Sequence, residues 1–173
     1  MRLVTFFLIS VTYLDLSNAQ SNNGFDDFFK KTLTWDDTKK ADDISDFLRN
    51  SLILAPFVTS FFVNDPKDAA LKAGGTLLFN TLLVKGIKEL TQRERPDGSD
   101  KLDFPSGHAA TAMAAATLTC SMAKKSCPIV YTTAVAVGAL RVMANKHHAT
   151  SVIFGWGIGH TNGVLIPSFI ASW

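Results

Sequence analysis

From about residue 43 onward, apolar positions recur at helical spacing, and the elements they predict are divided by clear stop and start signals. Ile44 to Val63 reads as a helix that Pro56 kinks or interrupts, because the proline ring crowds the preceding turn and supplies no amide donor. Asp65-Pro66 opens a second helix, with a carboxylate placed to cap it and a proline at its first position. That helix runs to about Arg93 and is ended by Pro96. Arg95 to Pro105 is a loop carrying Gly98 and three aspartates. Three further helices are expected over about Ser106–Lys124, Pro128–Asn145 and Thr150–Ile170. Strand signals are weak throughout. The pattern predicts an all-α protein, a compact bundle of about five to six helices.

The pattern differs before residue 43. Arg2 is followed by an apolar run from Leu3 to Leu14, and Ser17-Asn18-Ala19 places small residues where a signal peptidase reads. This predicts a signal peptide over residues 1–19. A retained membrane anchor is the alternative, but the run is shorter than the roughly 20 residues a bilayer span needs. Residues 20–50 are polar and rich in aspartate, and Asp26-Asp27, Asp36-Asp37 and Asp42-Asp43 read as solvated pairs. Phe25, Phe28 and Phe29 lie at helical spacing and predict a short amphipathic helix that caps the core or touches a membrane surface. Residues 51–173 are then the functional domain.

Composition leaves the surroundings of the bundle open. Apolar residues make up 47% of the chain, high for a soluble protein, yet no helix is a clean membrane span. The second helix carries Lys72, Asn80 and Lys85, and the last carries His160 and Asn162. The apolar stretches of the third and fourth fall short of a bilayer. A net charge of +2, with no basic stripe interleaved with aromatics, argues against a nucleic-acid partner. Cys120 and Cys127 read either as a disulfide formed after export or as two buried thiols.

Three clusters carry chemistry. Lys88 is followed, after six residues, by Arg95-Pro96; then comes Pro105-Ser106-Gly107-His108; then Arg141, five residues, and His147. Cations within apolar helices are costly unless an anion pairs them, so two arginines and a lysine predict an anionic ligand. Arginine suits phosphate, whose oxygens accept its two parallel N–H bonds. Gly107 permits close approach, and the helix that starts there turns free amides and its positive dipole end toward an anion. Ser106 can cap that helix or donate to a phosphate oxygen. Two histidines beside this pocket suggest a neutral one that attacks phosphorus and a protonated one that serves the leaving oxygen.

The order and spacing of these clusters resemble the type 2 phosphatidic acid phosphatase superfamily, which includes bacterial non-specific acid phosphatases and lipid phosphate phosphatases. The resemblance covers residues 66–165. It implies that His147 is the nucleophile, that His108 is the general acid, and that Lys88, Arg95, Arg141, Ser106 and Gly107 bind phosphate. It implies a phosphorylated small molecule or lipid as substrate; with the transition-state charge carried by side chains no metal or other cofactor is required, and contact with a membrane stays open. The family spacing selects His147 over the adjacent His148, which requires the helix to end near Asn145 and the backbone to turn. Two positions depart from the pattern. Leu140 replaces the serine before the arginine, and Ser151 stands where the family has the aspartate that orients the nucleophile. Losing a charged orienter costs orders of magnitude in rate. Ser151 therefore predicts a slow enzyme, an orienter supplied from elsewhere, or a protein that binds phosphate or phospholipid without turnover.

Overall fold

The computed structural model describes residues 24–33 and 35–170; the signal peptide expected over residues 1–19 lies outside them. Among the described residues there are six α-helices and no strand: α1 (Gly24–Thr32), α2 (Thr38–Ser60), α3 (Pro66–Thr91), α4 (Gly107–Met122), α5 (Cys127–Met143) and α6 (Ala149–Ile170). A 3-10 turn, Lys124–Ser126, joins α4 to α5.

The helix ends follow from local chemistry. Asp37 caps α2 by accepting from the Lys40 amide at 2.9 Å, and Asp65 caps α3 by accepting from the Asp68 amide at 3.0 Å. Pro56 is buried within α2 and does not end it. Residue 50 lies inside α2, so the aspartate-rich stretch after Asp37 is part of the bundle.

At the centre is α4, which contacts α2, α3, α5 and α6 and is almost wholly buried from Ala109 to Thr119. Its alanines leave room for close neighbours. The closest is α6, which turns Gly155, Gly159 and Gly163 toward it at four-residue spacing. A Cβ at Gly159 would stand 2.0 Å from the Ala110 carbonyl oxygen, and one at Gly155 would stand 2.6 Å from that of Ser106. Only glycine permits this approach. Inside the bundle, Asn162 donates to Asn80 at 2.9 Å, which satisfies two buried polar groups between α6 and α3.

Cys120 and Cys127 are bridged, which selects the first of the two alternatives. On α1, Phe29 packs against the core beside Ala109, Val142, Ala149 and Val152, whereas Phe25 and Phe28 are exposed. Two of the aspartates expected to be solvated turn toward the bundle instead, one fully and one in part. Asp26 is fully buried and paired with Arg93, and Asp42 is paired with Arg141. Asp27, Asp36, Asp37 and Asp43 are exposed as expected.

The outer surface is unusually apolar. Phe47, Leu54 and Val58 on α2 and Leu71, Leu78 and Leu82 on α3 are all more than half exposed. One segment, Lys124–Met143, is long and apolar enough to cross a membrane by length and composition. This corrects the expectation that the fourth helix falls short, since the 3-10 turn runs directly into α5 and lengthens it.

Candidate active site

Backbone geometry brings the third cluster inward. Asn145 adopts a left-handed conformation (φ 59°) just past α5, a conformation Asn tolerates better than most residues. The amides of Lys146 and His147 then fold back onto the Arg141 carbonyl at 3.0 and 3.2 Å. The turn anticipated near Asn145 is therefore present, and it carries His147 inward beside Arg95.

His147 is buried, and its two ring nitrogens face different partners. Nε2 lies 3.3 Å from Arg95 Nη1. A guanidinium only donates, so Nε2 is the acceptor and Nδ1 carries the proton. Nδ1 donates to Asp103, whose backbone oxygen is at 2.7 Å and whose Oδ1 is at 3.1 Å. Burial pushes the imidazole well below its ordinary range, to about 4, against the opposing pull of Asp103. At neutral pH His147 is an uncharged base with its lone pair turned toward Arg95.

The other cations converge on the same end of the bundle. Lys88, near the C-terminal end of α3, donates to the Leu102 carbonyl and passes close to Gly107. Arg95 also donates to the Lys146 carbonyl at 2.9 Å and to Asp100 at 2.6 Å. Arg141, buried in the last turn of α5, bonds Asp42 and Ser45 of α2. Ser106 is buried and caps α4, and its amide donates to the Ser151 carbonyl at 2.9 Å. That bond stitches the second cluster to the third. His108, in the first turn of α4, places Nε2 2.5 Å from Asp46 Oδ1 and 2.8 Å from Arg49 Nη1. A cavity of about 350 Å³ opens beside Lys88, Gly107 and His108, between α2 and α3, and Ile53 and Val84 give it apolar walls.

Ser151 is fully buried, and its hydroxyl donates to Asp103 Oδ2 at 2.5 Å. Asp103 is itself inaccessible to solvent and collects further donors: the His148 amide, His148 Nδ1 and, at 3.2 Å, Arg93 Nε. Burial works to raise its carboxyl, but the hydrogen bonds from His147, His148 and Ser151 outweigh that and hold it well below the usual carboxylate range. Arg93 in turn pairs with Asp26 of α1 at 2.7 Å and donates to Thr150 at 2.7 Å. Asp26 also accepts from the Thr150 amide at 2.9 Å in the first turn of α6.

The sequence-predicted residues Lys88, Arg95, Ser106, Gly107, His108, Arg141, His147 and Ser151 thus gather at one end of α3, α4, α5 and α6. Five residues around them were not foreseen: Asp103, Arg93, Asp42, Asp46 and Arg49. Asp103 was one of three aspartates in a loop, with nothing in the spacing to single it out. Arg93 read as a helix end.

The described residues thus form an all-α bundle that draws two histidines and three cations to one end. The family comparison agrees, since the PAP2 superfamily profile matches residues 69–172. The chain belongs to the PAP2 superfamily. Its fold is also similar to the crystal structure of the first transmembrane PAP2 type phosphatidylglycerolphosphate phosphatase, from Bacillus subtilis. The TM-score is 0.67 at 23% sequence identity, over 99% of this chain and 95% of that one.

Proposed function

We propose that this chain is a phosphatase that hydrolyses phosphomonoesters, lipid phosphates foremost, through a phosphohistidine intermediate. The observation that carries the reading is the orientation of His147. Its Nδ1 proton is held by Asp103, and its Nε2 lone pair faces Arg95, one of the cations suited to phosphate.

In the first step Nε2 of His147 attacks phosphorus, and the bond from phosphorus to the leaving oxygen breaks. His108 gives that oxygen its proton. Burial and the neighbouring Arg141 and Arg49 push its imidazole down to about 3 before substrate enters, so it takes up that proton as the phosphate dianion offsets these arginines. Lys88, Arg95 and Arg141 stabilise the charge on the equatorial oxygens. In the second step a water attacks the phosphohistidine and His108 takes the water's proton. The phosphorus–nitrogen bond then breaks and inorganic phosphate leaves. Asp42 and Asp46 lie against Arg141 and His108, so an incoming phosphate competes with these carboxylates.

Two observations favour a lipid substrate. The cavity beside His108 has apolar walls where a leaving group would lie, and the exposed apolar faces of α2 and α3 flank it. The same faces, with the Lys124–Met143 segment, support association with a membrane. The similar Bacillus subtilis protein is itself a transmembrane phosphatidylglycerolphosphate phosphatase. Export by a signal peptide over residues 1–19 would place the site outside the cytoplasm. The catalytic unit comprises the domain from residue 51 onward together with the earlier part of α2, which supplies Asp42, Asp46 and Arg49.

A second reading, binding of phosphate or phospholipid without turnover, is favoured by one observation, the serine at position 151. The two readings separate in an assay of phosphate release from phosphatidic acid in detergent micelles and from an aryl phosphate, both with excess chelator. Turnover that survives chelation, favours the lipid and disappears in His147→Ala is expected. Saturable phosphate binding with no turnover on any phosphoester would establish the second reading.

A further inference from the structure

We propose that Asp103, in the loop before the second cluster, is the positioning carboxylate for His147 and takes over the task that the third cluster leaves to Ser151. This rests on the reading of His147 as the nucleophile.

Asp103, in a loop, and Ser151, in the first turn of α6, come from different segments yet meet at 2.5 Å, with the Ser151 hydroxyl donating to the carboxylate. Position 151 therefore contributes a donor to the carboxylate that another segment supplies. The bond from the Ser106 amide to the Ser151 carbonyl holds the two segments in register. Oδ1 of Asp103 accepts from His147 Nδ1 and the His148 amide, while Oδ2 accepts from Ser151 and His148 Nδ1 and meets Arg93. A fully buried carboxylate with so many donors is ionised and fixed in place.

Two parts of Asp103 have different jobs. Its backbone oxygen, the nearer acceptor at 2.7 Å, is sufficient to keep the proton on Nδ1. Its carboxylate supplies the charge. When Nε2 attacks, the imidazole ring becomes cationic, and Oδ1 stands 3.1 Å from the Nδ1 proton. Arg93 does not cancel that charge. It is shared with Asp26, so the three groups together leave one net negative charge beside the ring. The helix α1 thereby helps to maintain the charge balance of the site through Asp26.

Asp103 also accepts the first free amide at the start of α6, and a purely structural role would end there. The experiment must separate the two roles. Asp103→Asn preserves shape and removes the charge. Asp103→Ser with Ser151→Asp exchanges the two residues and returns a carboxylate to the site from the first turn of α6. Steady-state kinetics would be read beside the NMR titration of His147 in ring-labelled protein.

The expected result for Asp103→Asn is a fall in kcat of about 10²-fold with KM nearly unchanged. The loss stays short of the roughly 10⁴-fold seen when an orienting aspartate also sets the tautomer, because the backbone carbonyl still does that. The His147 titration moves to lower pH, since a stabilising negative charge has gone. The exchange variant regains at least about ten-fold in kcat over Asp103→Ser alone, and its His147 titration moves back toward the wild-type midpoint. Two outcomes would overturn the proposal. One is Asp103→Asn turning over at the wild-type rate. The other is an Asp103→Asn that loses only thermal stability, with the His147 titration unmoved. If the wild type releases no phosphate but the titrations shift as described, the function proposed above fails while the pairing of Asp103 with His147 stands.

Discussion

The close approach of α4 and α6 makes Gly159 a sensitive position, and Gly157 two residues away supplies its control. A methyl group at Gly159 would lie 2.0 Å from the Ala110 carbonyl oxygen and 2.8 Å from its carbon. Both atoms are backbone, so no side chain can swing aside. Contacts below 3.0 Å are essentially absent in proteins, so Gly159→Ala requires the helices to part locally by about 1 Å. Overpacking of this kind costs about 1–3 kcal/mol, and in a chain of this size each kcal/mol lowers Tm by roughly 2–4 °C. Those figures combine to a fall of about 2–12 °C. The same displacement reaches the site, because α4 begins at Ser106-Gly107-His108 and α6 begins just after His147. Misplacing reacting groups by ~1 Å can cost ~10²-fold in rate. Gly157 is exposed, with nothing within 4 Å of an added methyl group, so Gly157→Ala is expected to be neutral or stabilising by up to about 1 kcal/mol through helix propensity. Thermal unfolding followed by circular dichroism, with phosphate release measured in parallel, reads both effects. Equal stability and activity in the two variants would refute the packing argument.

Two further outcomes follow from the electrostatics. His147, pushed down to about 4 from its ordinary 6.5, stays neutral across the mildly acid range. Its contribution to kcat/KM should therefore hold from neutrality to about pH 5 and fall steeply below about 4. In stability the unfolded chain takes up this proton first, so the part of the folding free energy tied to a neutral His147 is fully present above pH 6.5 and is lost as pH falls toward 4. A kinetic limb near 6.5 assigned to His147 by NMR would contradict both statements. Asp42 pairs with Arg141 but is about one-third exposed, so the pair is screened and weak. Asp42→Asn should lower the inhibition constant of inorganic phosphate by about 2–5-fold, a fraction of a kcal/mol. A rise instead would mean that Asp42 holds Arg141 in its binding geometry.

The helices were legible in the sequence because their signals are local. Asp65-Pro66 marked the start of α3, and helical apolar spacing marked most of the rest closely, but α2 begins at Thr38, well before the expected Ile44, because its first turns are polar. The cluster of cations and histidines was legible because three motifs stand in the order and spacing of the family, and the spacing from Arg141 to His147 foretold the turn at Asn145. The supporting network was not legible, because its members lie far apart in the chain. Asp26 meets Arg93 and Thr150, and Asp103 meets His147 and Ser151, across separations that no periodicity encodes. The aspartate-rich stretch misled for a related reason. Exposed and buried aspartates look alike in sequence, and only the fold turns Asp26 and Asp42 inward while Asp27 and Asp43 face water. The membrane question depended on a detail of the same kind, since a 3-10 turn running straight into α5 makes the Lys124–Met143 segment long enough to cross.

The central claim is that phosphate passes through a covalent bond to His147. Its most direct test is to quench the protein during turnover of a radiolabelled phosphoester with chelator present, then locate the label by peptide mapping. The account predicts an acid-labile, base-stable phosphoryl group on the peptide that carries His147. The label should be absent in His147→Ala and should disappear when unlabelled substrate is chased in. Turnover with no trapped label under any quench, or label and turnover that persist in His147→Ala, would contradict it.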